Sequence, residues 1–201
     1  MPATLTLVSR RNLFFADLSI GLSIILIFSV FRNWGDWILL ISWVIIFGYL
    51  MGMKRYISVS HQLLATLIAA LWVHYARDYY GYHVDFVRIF GMSSLPLMAW
   101  SLLLFGILEY CNYCKFKRKV YNFLLFFLVF LTLGLLFETI AYHLLDLRNT
   151  MTAKYAGLPI CDCVHAPNWM KMVYFSMGPV YFLLTQLSDR LTGILRNDWT
   201  T

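Results

Sequence analysis

The sequence predicts an all-α, polytopic membrane protein, a single transmembrane domain over residues 1–201 built as a bundle of about six helices. Three observations predict it. Six strongly apolar runs fill most of the chain, and each is close to the roughly 20 helical residues that a hydrocarbon layer demands. Hydrophobic residues make up 61% of the chain and charged residues only 13%, so soluble polar-faced helices are missing. The runs are continuous rather than alternating, which excludes a β-barrel. Helices are then the only spans that satisfy their own backbone in lipid.

The first run, Leu13–Phe31, follows Arg10 and Arg11 as a signal peptide would. It is longer than a signal core, is interrupted by Asp17 and precedes no small-residue cleavage site, so it reads as an uncleaved span. Trp37–Met53 and Tyr56–Ala76 follow across the short links Arg32–Asp36 and Lys54–Arg55, which force antiparallel neighbours. Leu95–Cys111 and Val120–Leu145 are the fourth and fifth runs. The sixth, Trp169–Leu187, contains Gly178-Pro179, which should kink it. Beyond it Leu187, Leu191, Ile194 and Leu195 share a helical face, suggesting an extension lying at the interface.

The net charge of +6 is distributed as a topology signal rather than as a nucleic-acid surface, so no nucleic-acid partner is expected. One side of the expected bundle carries Arg10, Arg11, Lys54, Arg55, Lys115, Lys117, Arg118, Lys119, Arg190 and Arg196. The other carries Arg32, Arg77, Arg88, Arg148, Lys154 and Lys171. The richer side should face the cytoplasm, with both termini. The chain has no N-x-Ser/Thr sequon and no C-terminal retention tetrapeptide, so the membrane is not specified.

The two long links, Arg77–Ser94 and Asp146–Asn168, then fall outside and hold most of the polar and aromatic residues. They echo each other. One follows His74 and Asp78 and ends in Gly91 and Leu95-Pro96; the other follows His143 and Asp146 and includes Gly157-Leu158-Pro159. In each, a His precedes an Asp by three or four residues, on one helical face. The loops are expected to converge over one cavity. Glu138, deep in the fifth run, is the strongest candidate for chemistry, because an ionisable residue in lipid is costly and faces a bundle interior. A desolvated carboxyl suits a proton donor; the plainer reading is a structural hydrogen bond between helices. Trp72, Tyr79, Tyr80, Tyr82 and Tyr142 are candidate substrate-binding residues, able to line a cation-stabilising pocket, although an aromatic belt explains them too. Asp17 and Glu109 read as structural, paired with bases such as Arg10 or Lys115, and His61 lies near the same surface.

The four cysteines form two clusters, Cys111-x-x-Cys114 and Cys161-x-Cys163 with His165. One span separates them, so they should lie on opposite faces. The outer set is either a soft-metal site of Cys161, Cys163 and His165 or a disulfide. A cytoplasmic Cys-x-x-Cys is more often reduced.

The stretch Ala76–Gly91 followed by Leu95-Pro96-Leu97, and again Tyr155-Ala-Gly-Leu-Pro159, resembles the membrane-embedded lycopene cyclase-type, carotenoid-modifying proteins. That family carries paired glutamates after the Leu-Pro element; here Met98-Ala99 and Cys161-Asp162 stand in their place. The resemblance implies proton-initiated, cyclase- or hydratase-like chemistry on an isoprenoid or other apolar lipid. Glu138 would be the acid, His74/Asp78 and His143/Asp146 would be polarising pairs, and Asp162 would stand at a family carboxylate position. A non-catalytic subunit or assembly factor with membrane-protein partners, and a thiol-redox or metal-handling protein, are the rival readings. No cofactor is specified by the sequence.

Overall fold

Six α-helices, in the order in which the apolar runs occur, make up about three quarters of the computed structural model, which describes residues 10–83, 86–114 and 116–198. Lys115 and the side chains of Arg10, Ile194 and Leu195, invoked above, lie outside the described residues. The helices are α1 Arg10–Val30, α2 Gly35–Gly52, α3 Tyr56–Tyr75, α4 Ser94–Tyr113, α5 Lys119–His143 and α6 Asn168–Asp198. Among the described residues five helices, α1 to α5, are long and apolar enough to cross a membrane. α6 has 31 residues, including Lys171, Asp189 and Arg190, and is less apolar. It runs through Pro179 as one helix and carries the expected interfacial tail as its own continuation.

The short α1/α2, α2/α3 and α4/α5 links make those pairs antiparallel, and Arg55 meets both Asp17 of α1 and Glu109 of α4, so the bundle has a basic end, with residues 53–55 and 116–118, and a loop end, with residues 76–93 and 144–167. α4 is the central element. It packs on α3 most extensively and also on α2, α5, α1 and α6. In its apolar stretch 72% of residues are buried, against none in α1. The buried set includes Ser42, Gln62, Ser101 and Thr185, whereas Leu22, Leu26, Ile45, Leu67, Leu71, Leu128 and Leu183 face outward. A water-soluble bundle reverses that preference. The interior polar groups stitch helices together: Trp43 Nε1 donates to Thr66 Oγ1 (2.9 Å), Thr66 shares a hydrogen bond with Ser101 (2.8 Å), and Gln62 Nε2 donates to the Trp43 carbonyl (3.1 Å). Across the α5/α6 contact, a Cβ on Gly178 would meet the Phe130 ring at 2.5 Å, so glycine sets how closely these helices approach.

The loop end holds an element absent from the helical expectation. β1 Arg88–Ile89 pairs antiparallel with β2 Met92–Ser93, turning through Phe90 and Gly91, both at positive φ. Paired positive φ values are what a two-residue hairpin turn needs to match strand twist. The hairpin is anchored from below by Asp36, fully buried in the first turn of α2. Its carboxylate accepts from the backbone N–H of Trp37 (2.8 Å), Phe86 (2.9 Å) and Val87 (2.7 Å). Asp36→Ala should leave these donors unsatisfied, at about 1–3 kcal/mol for a buried orphan. Limited chymotrypsin digestion at Phe86 and Phe90 should accelerate accordingly; wild-type digestion rates would refute the anchoring role.

The two long loops do meet. Asn149 accepts from Gly81 N–H (3.1 Å) and donates to the Tyr79 carbonyl (2.7 Å), and Thr150 N–H donates to the Gly81 carbonyl (2.9 Å). The sequence echo does not extend to their Leu-Pro elements. Pro96 lies in the buried first turn of α4, where a missing N–H costs nothing, but Pro159 lies in a turn well before α6.

Candidate functional site

Four helices and the first long loop build an aromatic box beside Glu138. α5 supplies the carboxyl. α6 brings Tyr174, which hydrogen-bonds Glu138 and lies 3.5 Å from the Gly134 carbonyl. α4 supplies Trp100, packed edge-on against Tyr174 with ring centres 4.4 Å apart. The turn after α3 folds Tyr80 inward, where its hydroxyl accepts from Trp72 Nε1 (2.8 Å) and also hydrogen-bonds Trp100. Burial pushes the Tyr80 hydroxyl above the usual tyrosine range, and hydrogen bonds from the two indoles oppose that shift. Tyr82 stacks on Tyr80 at 6.3 Å. Trp72, Trp100 and Tyr174 are buried, and Glu138, Tyr80 and Tyr82 are partly so.

Trp72, Tyr80, Tyr82 and Glu138 therefore come together, joined by Trp100 and Tyr174, which the sequence reading missed. A signal existed for the second: Tyr174 is a phenol inside an apolar run and needs an interior acceptor when buried. Tyr79 lies one layer out, edge-on to Trp169 at 5.3 Å; Trp169 also meets Trp72 and Tyr75.

The expected polarising pairs are not brought into the box. His74 and Asp78 are exposed, and Asp78 lies 3.9 Å from Arg77. Asp146 pairs with Arg148 at 3.0 Å, while His143 reaches past it to the Cys161 carbonyl (2.9 Å). Each carboxylate has taken a guanidinium one or two residues away, a local pairing that helical spacing does not forecast. Tyr142 stacks on His165 at 4.5 Å, with the Arg148 guanidinium 4.8 Å from its ring centre, outside the Glu138 box. Asp162 is exposed, 3.5 Å from His165.

The metal expectation is corrected. Cys161 and Cys163 are joined in a disulfide, so neither offers a thiolate, and both ring nitrogens of His165 lie against the carbonyls of Tyr155 (2.8 Å) and Asp162 (3.1 Å). Among the described residues no group of three His, Cys, Asp or Glu side chains could hold a metal ion. Cys111 and Cys114 are free thiols, the first buried and the second exposed.

A second polar cluster closes the basic end. Arg55 Nη1 lies 2.9 Å from both carboxylate oxygens of Asp17, and its Nη2 pairs with Glu109. Tyr113 and Tyr49 donate to Asp17 at 2.7 and 3.3 Å. His61 Nε2 meets Asp189 at 2.9 Å. Burial alone would lower the Arg55 guanidinium, but Glu109 and Asp17 outweigh that and hold it above its ordinary value. A pocket of ≈ 220 Å³ opens here, lined by Arg55, Ser58, His61, Glu109, Asn112 and Tyr113 among others. The partner of both acids is thus Arg55, from the tight α2/α3 link. Ion pairs across five chain segments suit a lock on helix arrangement.

No family model, characterised protein or solved structure matches this chain.

Proposed function

We propose that the chain is an integral, multi-pass membrane protein with six spans and a cytoplasmic basic end, and that it is an enzyme acting on an apolar lipid, with Glu138 as its proton donor. One observation carries the enzymatic reading: a carboxyl on a strongly apolar helix hydrogen-bonds Tyr174 and lies near Tyr80, and those two rings in turn meet Trp100 and Trp72. Aromatic faces beside that carboxyl suit the cation that protonation of a double bond would create. An isoprenoid is the substrate class for which that chemistry is most apt. The test is lipid analysis of gently solubilised protein: a bound apolar lipid, changed in identity between wild type and Glu138→Gln, supports the reading. Protein that carries only bulk bilayer lipid in both forms refutes it.

The orientation is supported by two asymmetries. Lysine and arginine favour the basic end, and the free thiols lie there while the disulfide lies at the loop end. Oxidised cysteines belong to the extracytoplasmic side and reduced ones to the cytosol. In intact cells an impermeant maleimide should label Cys161 or Cys163 only after mild reduction, and Cys114 only after permeabilisation. Labelling of Cys114 from outside would overturn the orientation.

A second reading, a non-catalytic subunit or assembly factor of a membrane complex, is favoured by the outward placement of His74 and Asp78 together with Phe90 and Ile160, 93% and 96% exposed at the loop end. A stable co-purifying membrane protein, lost on Phe90→Ser and Ile160→Ser substitution, would place it first.

A further inference from the structure

The loop between α5 and α6 carries a disulfide that does little for folding. Cys161 and Cys163 are separated by one residue. In the chain-entropy view a cross-link stabilises by closing a loop in the unfolded chain, and the effect falls as the loop shortens. A ring this small constrains very little. The native backbone around it is nevertheless demanding. Asp162 and Val164 both adopt left-handed conformations, at φ 41° and 54°. For a β-branched residue that is a conformation sustained only by its surroundings.

Those surroundings are visible. Leu158 N–H donates to the Cys163 carbonyl (2.8 Å), and Asp162 N–H donates to the Leu158 carbonyl (2.8 Å). His165 reaches the carbonyls of Tyr155 and Asp162, His143 reaches that of Cys161, and Lys171 Nζ donates to that of Ala156 (2.7 Å). Gly157 lets the turn close, since a Cβ there would meet an Asp162 carboxylate oxygen at 2.7 Å and the His165 ring at 3.0 Å. The two residues differ in exposure: Cys161 is half-buried and Cys163 fully buried. A backbone held in unfavourable conformations around a short disulfide, with one of its cysteines partly exposed, is suited to exchange rather than to bracing.

We propose that Cys161–Cys163 is a redox-active disulfide that accepts two electrons from a dithiol at the loop end of the bundle. A thiolate of that dithiol attacks Cys161 Sγ. The Cys161–Cys163 bond breaks, and Cys163 leaves as a thiolate that takes a proton from water. The second thiol of the reductant, deprotonated by water, attacks its own sulfur in the mixed disulfide. Cys161 is released and protonated in turn. The reductant ends as a disulfide and this chain as two thiols, so electrons and protons balance. Reduction releases Asp162 and Val164 from their left-handed conformations, so the loop that shields Tyr142 through His165 loosens when the bond opens.

The test uses the full chain in membranes, with Cys111→Ala and Cys114→Ser to remove the other thiols. The protein is equilibrated with graded ratios of reduced to oxidised dithiothreitol, quenched in acid and alkylated with a polyethylene-glycol maleimide. A reversible rise in doubly modified protein across the series, in the folded state, is the expected result. Two single-thiol variants provide the second readout: the thiol left by Cys163→Ser should react about tenfold faster than the thiol left by Cys161→Ser, because access governs which sulfur is attacked. A bond that opens only on denaturation, two free thiols in protein isolated without reductant, or equal reactivity of the two positions would each overturn the proposal.

Discussion

Arg55→Ala is expected to be among the most destabilising single substitutions in this chain. Arg55 holds two carboxylates, Asp17 through both oxygens and Glu109 through its second nitrogen. Removing it leaves two negative charges facing each other with the Tyr49 and Tyr113 hydroxyls as their remaining donors to Asp17. Breaking a buried pair from one side costs about 3–5 kcal/mol, since the surviving partner is stranded. The cost here should sit toward the lower part of that range, because the Arg55 side chain is 17% exposed and water can reach the stranded acids. Arg55→Lys should fall between, as an ammonium lacks the planar fork that serves two carboxylates at once. Thermal unfolding of detergent-solubilised protein reads the effect. The decisive control is the triple variant Asp17→Asn, Arg55→Met, Glu109→Gln, in which no charge is stranded; it should regain most of the loss. An Arg55→Ala protein as stable as wild type would remove the lock from the basic end.

On the proposed function, Glu138→Gln is expected to cut turnover by orders of magnitude while leaving the bundle intact. Glutamine keeps the shape of the carboxyl and can still bond Tyr174, so insertion and thermal stability should change little. What it removes is the transferable proton, a contribution of roughly 10²–10⁴-fold for general acid catalysis. Tyr174→Phe provides a graded comparison: it deletes the hydroxyl beside Glu138 but keeps the ring against Trp100, and should reduce the rate less. The measurement is conversion of the co-purifying lipid by membranes holding equal amounts of folded protein. Full conversion by Glu138→Gln would reduce the residue to a helix-to-helix hydrogen bond and move the subunit reading ahead.

The helices were legible because their signal is local. Tyr56–Ala76 was expected and Tyr56–Tyr75 is found; Val120–Leu145 was expected and Lys119–His143 is found. Apolarity over twenty residues decides such segments before any neighbour is present. That Glu138 would have a polar neighbour was legible for a related reason: a charge beside so much hydrocarbon must find company inside the bundle, and Tyr174 supplies it.

Pairing was not legible. The sequence shows that Asp17 and Glu109 need a base but offers Arg10, Lys54, Arg55 and Lys115 at one end, and nothing local chooses among them. Helix packing chose Arg55, because the two-residue α2/α3 link aims it between α1 and α4. The His–Asp spacing that suggested two polarising pairs was overruled by arginines one and two residues from each aspartate. Asp36 drew no notice in its short link, yet it carries the hairpin, since its three N–H donors come from two segments about fifty residues apart. By itself the sequence determined the all-helical class, the position of each helix and the need for interior partners, all of which follow from the transfer of individual side chains between water and hydrocarbon. Which partner each group received was decided only by the tertiary structure, because hydrogen bonds and ion pairs depend on ångström-scale geometry between segments far apart in the chain.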